Sequence, residues 1–187
     1  MVVVIAVVVA VLLDRWLGEP GRWHPLNGFA AIANWLEARL YGAGRLRGAV
    51  AVGLLIVPPA MLFAWLGKQG MGGWLLGIIL LYGAIGWRSL IDHANAVVAA
   101  LNTDNVAGAR QRTGYLVGRD TAAMDERDMS AATLESVLEN GNDAVFAAIF
   151  WFVLAGPGGV VAYRLANTLD ALWGYRNQRY RDFGWAA

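Results

Sequence analysis

The sequence predicts an all-α fold, a polytopic integral membrane protein with three to four hydrophobic segments, the last of them kinked or re-entrant. Three observations carry this. Of 187 residues, 58% are hydrophobic and 16% charged, and mean hydropathy is +0.46; soluble domains sit nearer half apolar and a quarter charged. The apolar residues gather into four runs, at 1–17, 49–66, 71–87 and 144–166. Nine tryptophans suit a membrane–water boundary, where an indole is half apolar and half wet. The same composition excludes a disordered chain. The absence of cysteine excludes disulfides, Fe–S clusters and thiolate zinc sites. A net charge of +1 gives no reason to expect nucleic acid. The length fits a single membrane-embedded domain over 1–187.

The first run is closed by Asp14 and Arg15. It lacks a basic leader region and a cleavage site, so it reads as a short span extending to Leu17 rather than a signal peptide. The second run, 49–66, contains Pro58-Pro59, and only four residues separate it from the third, 71–87, so the two form a transmembrane hairpin. Gly73 and Gly77 make a small-xxx-small pair, whose role is close helix packing. The fourth run carries Gly156-Pro157-Gly158-Gly159 at its middle. Proline removes a helix hydrogen bond and glycine softens the backbone, leaving two short apolar arms.

The polar stretches are 14–48, 88–143 and 164–187. Within the first, residues 29–41 place apolar side chains at helical spacing, as in a helix lying along the interface. If all four runs cross, the first two stretches share one side, and their arginine excess places that side in the cytoplasm. Nine of the fourteen acidic residues fall in 88–143. There Ser130 offers an N-cap for a helix running to Asp143, and Glu135 and Glu139 share one face at i, i+4, with Asn140 and Asp143 continuing the edge. Two carboxylates so close favour a hard cation such as Mg²⁺, although a solvated acidic face has the same spacing. Upstream, Val117-Gly118-Arg119-Asp120-Thr121 combines a glycine with an anion-binding arginine and two oxygen ligands, a composition shared with ordinary turns. Asn167-Thr168-Leu169-Asp170 and Gly174-Tyr175-Arg176-Asn177 follow the fourth run. His24 and His93, the only histidines, do not make a zinc site, and there is no phosphate-binding glycine loop or nucleophile elbow.

In order and spacing, these pieces resemble the cobalamin-biosynthesis family CobD/CbiB, the adenosylcobinamide-phosphate synthases. The resemblance runs from Asp14, Gly18-Glu19-Pro20 and His24-Pro25 through Ser89-Leu90 and His93-Ala94 to the 117–121 block. It continues through Glu135-Ser136-Val137, Glu139-Asn140 and Asp143, and then Tyr163, Asn167-Thr168-Leu169-Asp170 and Gly174-Tyr175. Glu19 stands where the family usually has Asp, and Ala144 and Ala148 where it usually has Gly and Pro. Members normally continue past the equivalent of Ala187, so a C-terminally short chain is expected, naturally so or as a fragment.

The resemblance implies an ATP-dependent, Mg²⁺-requiring ligase of the bacterial inner membrane. It would join adenosylcobyric acid to aminopropanol or its O-phosphate, giving adenosylcobinamide or its phosphate, in the lipid bilayer beside other corrinoid-pathway membrane enzymes. On physical grounds, Asp120, Glu139 and Asp143 are expected to hold Mg²⁺. Glu135, Glu139, Asp170 and His24 are expected as acid–base groups, with Glu135 and Asp170 also reserve ligands. Arg119, Thr121 and Arg176 would bind phosphate, and Asn140 and Asn167 would hydrogen-bond substrate. The blocks on either side of the fourth run must then meet on one side. A straight span would separate them, whereas a re-entrant hairpin broken at 156–159 would join them. The competing class is a non-catalytic membrane relative, either an AmpE-like sensory protein or a corrinoid-handling subunit.

Overall fold

The computed structural model describes residues 1–19, 25–42 and 44–187; the expected base His24 lies outside them. All regular structure among the described residues is helical. It comprises α1 (Val2–Leu17), α2 (Pro25–Leu40), α3 (Arg45–Leu66), α4 (Gly70–Ala84), α5 (Trp87–Leu101), α6 (Val106–Leu116), α7 (Glu126–Gly141), a π-helical turn (Asn142–Ala147), α8 (Ala148–Trp173), α9 (Tyr180–Phe183) and a closing 3₁₀ turn (Gly184–Ala186). Three helical stretches, Arg45–Leu66, Gly70–Leu101 and Glu126–Trp173, are long and apolar enough to cross a membrane by length and composition. The protein is a helical membrane protein.

Small residues decide how the apolar helices meet. On α1, Ala6 and Ala10 are buried four residues apart with Asp14 one turn further, while valines of the other faces are exposed. That alanine stripe joins Ile78, Leu81 and Ala84 of α4 and Val145, Ala148, Phe152 and Val160 of the last hydrophobic run in one core. The small-xxx-small pair of α4 serves packing, as expected. A β-carbon on Gly77 would meet the Pro157 ring at 3.2 Å, and one on Gly73 would meet the Leu66 carbonyl oxygen at 2.5 Å. Helix α3 runs through Pro58 and Pro59 unbroken. A second core gathers Ala33 of α2, Ala51 and Leu55 of α3, Leu169 and Trp173 of α8, and Phe183.

The last run folds back on itself. Gly156 takes φ 65° and ψ −154°, non-helical values inside α8. The Tyr163 hydroxyl donates to the Asp143 carbonyl at 2.9 Å across 20 residues, a separation that would be about 30 Å along a straight α-helix. The hairpin apex is wedged against the far end of α3. A β-carbon on Gly158 would lie 2.6 Å from the Ala60 carbonyl oxygen, and one on Gly67 would lie 2.7 Å from Pro157 Cγ. The kinked-span alternative is thereby excluded.

The start of α7 corrects the sequence reading. Its N-cap is Asp125, which accepts from the Asp128 amide at 2.8 Å, while the Asp128 carboxylate accepts from the Asp125 amide at 3.3 Å. Ser130 lies inside the helix, its hydroxyl donating back to the Glu126 carbonyl at 2.7 Å. A reciprocal capping box satisfies two orphan amides, which one serine five residues later cannot do.

Candidate active site

The two ends of the hairpin meet around an open, polar cavity of about 270 Å³. Asn140, Asp143 and Ala144 face it from the end of α7 and the π turn. Arg164 and Asn167 face it from the returning arm of α8. Glu19 enters from beyond α1, Gly86, Ser89 and His93 from the start of α5, and Tyr115 and Leu116 from the end of α6. Side chains separated by almost 150 positions are thus brought together by the fold-back at Gly156.

Each wall has a local cause. The loop after α1 is tied down by Asp14, buried at 1% exposure. Its Oδ2 accepts from the Arg88 amide at 3.0 Å, so a side chain of one helix caps the N-terminus of another. The Arg88 guanidinium donates to the Trp16 and Arg15 carbonyls, and the Tyr82 hydroxyl donates to the Gly18 carbonyl at 2.7 Å. These bonds carry Glu19 against Gly86: a β-carbon on Gly86 would sit 2.7 Å from Glu19 Oε1. The Gly86 amide in turn donates to the Ala144 carbonyl at 3.2 Å. Asn140 donates to the Ser136 carbonyl and hydroxyl, both at 2.9 Å, and the Ser136 hydroxyl donates to the Leu116 carbonyl at 2.9 Å, locking α6 to α7. The π turn starts at the next residue but one. Single π turns recur at functional sites because they re-aim side chains without ending the helix.

Of the residues expected from sequence, Asn140, Asp143 and Asn167 converge here. The block at 117–121 is spent on its own fold. Arg119 pairs with Glu135 at 2.8 Å on the surface, Asp120 accepts from the Ala122 amide at 2.9 Å, and Thr121 donates to the Arg110 carbonyl at 2.9 Å. Asp170 and Arg176 line a different cavity of about 600 Å³ beside Tyr175, Tyr180 and Arg181. Glu139 is exposed. Among the described residues, no three acidic or histidine side chains group closely enough to hold a metal ion. The expected Mg²⁺ set of Asp120, Glu139 and Asp143 therefore does not assemble. Asp120 caps a turn on another segment, and the donor set does not fit a resident cation. The site residues that sequence reasoning left off its list are Glu19, Ser89, His93 and Arg164. Arg164 had a signal of its own: it is the one charge inside the fourth apolar run, three residues before Asn167.

The model of the family described as CobD/Cbib protein matches residues 7–187. The chain belongs to the CobD/CbiB family. It is 51% identical to a protein of Chromobacterium violaceum named "Cobalamin biosynthesis protein CobD", over 96% of this chain and 60% of the relative. Relatives of the same printed name from Stutzerimonas stutzeri and Mycobacterium tuberculosis are 51% and 37% identical, over 100% and 98% of this chain and 63% and 59% of theirs. The chain thus spans about three-fifths of the length of these CobD relatives. No solved structure matches it. Of the cavity's lining residues, Glu19, Ser89, Leu90, His93, Asn140, Asp143 and Asn167 belong to the blocks that carry the resemblance to CobD/CbiB.

Proposed function

We propose that this protein carries out ATP-dependent amide synthesis in cobalamin biosynthesis, joining a carboxyl group of adenosylcobyric acid to aminopropanol or its O-phosphate. The observation that supports this is the convergence, at the open end of one hairpin, of acids, a cation, amides, a histidine and hydroxyls from five separate segments. A scaffold or sensor has no need to gather unpaired polar groups beside an apolar core.

A carboxylate and an ammonium do not condense in water unaided. In the proposed reaction a carboxylate oxygen of the corrinoid attacks the γ-phosphorus of ATP, and ADP leaves. The neutral amine then attacks the acyl carbon, inorganic phosphate leaves, and the amine proton passes to a base. ATP enters as its magnesium complex, and no step is assigned to a protein-held metal. Glu19, Asp143 and His93 are the groups lining the cavity that can accept the proton. Asn140 and Asn167 orient the substrate amides and oxygens. Arg176 and Arg181, beside Tyr175 and Tyr180 in the second cavity, suit a phosphate-bearing partner.

On this reading the enzyme sits in the bacterial cytoplasmic membrane with the cavity facing the cytoplasm, where ATP is. The test is turnover by membranes carrying this protein, supplied with ATP, adenosylcobyric acid and aminopropanol phosphate. ADP release matched by amide product is expected. Corrinoid binding without ATP-dependent turnover would sink the synthase reading and favour a corrinoid-handling protein.

A further inference from the structure

Four arginines stand around the segment that follows α8, and the protein neutralises only two of them. Arg179 donates to the buried Glu37 carboxylate of α2 at 2.9 and 2.8 Å, and the Tyr180 hydroxyl donates to the same carboxylate at 3.3 Å. Arg45, at the start of α3, pairs with Asp182 at 3.5 Å. Arg176 and Arg181 are exposed, and among the described residues neither makes an ion pair. Both line the cavity of about 600 Å³, where Asp170 faces them from the end of α8. The position of this cavity defines its surroundings. A β-carbon on Gly48 would collide with the Phe183 carbonyl, and one on Gly184 with the Trp173 carbonyl. The segment therefore lies directly on the first turn of α3 and the last turn of α8. Both helices belong to stretches long and apolar enough to cross a membrane, so the cavity opens where the apolar thickness ends and lipid headgroups begin. At its rim Tyr175 and Trp185 are 60% and 62% exposed, with the Arg45 guanidinium 5.3 Å over the Trp185 ring. Aromatic rings among arginines fit a bilayer boundary, where each ring is half apolar and half wet. In open water the same rings leave apolar surface uncovered.

We propose that this second cavity binds an anionic phospholipid of the bilayer: Arg176 and Arg181 hold the phosphate diester, Asp170 accepts from the hydroxyls of a glycerol headgroup, and Tyr175 and Trp185 lie against the lipid's own glycerol. The phosphate-bearing partner of this cavity is thus a component of the membrane and not a reactant. The assignment goes beyond the amide-synthase reading and does not depend on it. A guanidinium fork matches a pair of phosphate oxygens. The volume equals about twenty waters at ~30 Å³ each, room for a phosphate with a glycerol on either side. Basic residues beside a membrane attract anionic lipid in general. Here the wall is also fixed in place, by the buried Glu37–Arg179 pair and by the Tyr41 hydroxyl, which donates to the Arg179 carbonyl at 3.2 Å. A lipid so held braces the end of the returning arm, since Asp170 follows Asn167 by three residues on the same helix.

The test is titration of the detergent-solubilised protein with short-chain phosphatidylglycerol, read by native mass spectrometry and by thermal unfolding. Binding and a raised melting temperature are expected. Phosphatidylcholine of the same chain length should bind at least about tenfold more weakly, because its ammonium offsets the phosphate charge and it has no headgroup hydroxyl. Arg176→Gln and Arg181→Gln should each weaken phosphatidylglycerol about fivefold and leave phosphatidylcholine unchanged. Both side chains are exposed and unpaired, so these variants should melt like the wild type in the absence of lipid. Arg39→Gln, on the exposed face of α2, should change the affinity for neither lipid. Equal affinity of the wild-type protein for the two lipids overturns the proposal, a result that needs no variant to fold. Equal weakening by Arg39→Gln overturns it as well, because the attraction then belongs to the basic surface as a whole. Displacement of phosphatidylglycerol by ATP or inorganic phosphate assigns the cavity to a soluble phosphate and overturns the lipid assignment.

Discussion

Asp14 shows how much one side chain can do that its neighbours in sequence do not reveal. Read along the chain, it merely closes an apolar run; folded, it is a buried carboxylate capping α5 through the Arg88 amide. Asp14→Ala removes that cap. It should lower stability by about 1–2 kcal/mol, measured by thermal unfolding in detergent, and should loosen the 18–19 loop so that substrate affinity falls as well. Tyr163 is the second case. Its hydroxyl bonds one arm of the hairpin to the other through the Asp143 carbonyl. Tyr163→Phe should cost about 1 kcal/mol while keeping the ring packed. An unchanged melting temperature would show that the bond does not hold the arms together. The residues legible in the sequence were those whose type is unusual in its setting, such as Asn140, Asp143 and Asn167. Glu19 and His93 stand in blocks that carry the family resemblance, yet their residue types are ordinary in polar stretches, and the fold is what brings them to one cavity. Arg119, Asp120 and Thr121 have chemistry that suits phosphate and cations, and in the fold they also bond to local turns and to α7, away from the cavity.

Among the elements, the hairpin of α8 was the most legible and α7 the least. Three glycines and a proline in an apolar run weaken a helix, so a break within 156–159 is expected from backbone chemistry, and it falls at Gly156. That the break reverses the chain, rather than bending it, depends on what the apex meets. Pro157 needs the space left by Gly67 and Gly77, and Gly158 needs the close approach of Ala60 and Ala64. These contacts join residues 80 to 100 positions apart, beyond any local pattern. Gly156 occupies a backbone region open essentially to glycine. Gly156→Ala should therefore cost about 1–3 kcal/mol in detergent unfolding. It should reduce activity more than Tyr163→Phe does, because a displaced apex moves Arg164 and Asn167 away from Asn140 and Asp143. Equal stability of Gly156→Ala and wild type would contradict the turn. The π turn at Asn142–Ala147 left no signature in the sequence. Its neighbours form helix on both sides, and nothing in the residue pattern marks the change of hydrogen-bond spacing.

At the scale of the whole molecule, folding the last run back changes the charge arithmetic across the membrane. With four straight spans the cations divide between both sides. With the hairpin, among the described residues the segments at the site end hold thirteen of the fourteen arginines, at 15, 39–47, 88–127 and 164–181, and only Lys68 sits in the turn at the other end. The ends are fixed by contacts: the Trp74 indole donates to the Val2 carbonyl at one end, and Tyr82 and Arg88 bond to the close of α1 at the other. By the positive-inside rule this asymmetry predicts that the arginine-rich end faces the cytoplasm. Helix α3 has 22 residues and about 33 Å of length, enough to separate Lys68 from the cavity by the full apolar thickness. The chain contains no cysteine, so single cysteines can be placed without background at Arg127, Gln178 and Lys68. In intact cells, a membrane-impermeant maleimide should label Lys68→Cys alone. Opening the cells should expose Arg127→Cys and Gln178→Cys together. Labelling of 127 and 178 from opposite sides would mean that the last run crosses the membrane after all. The cavity would then be dismantled, because Asn140 and Asn167 could no longer face each other.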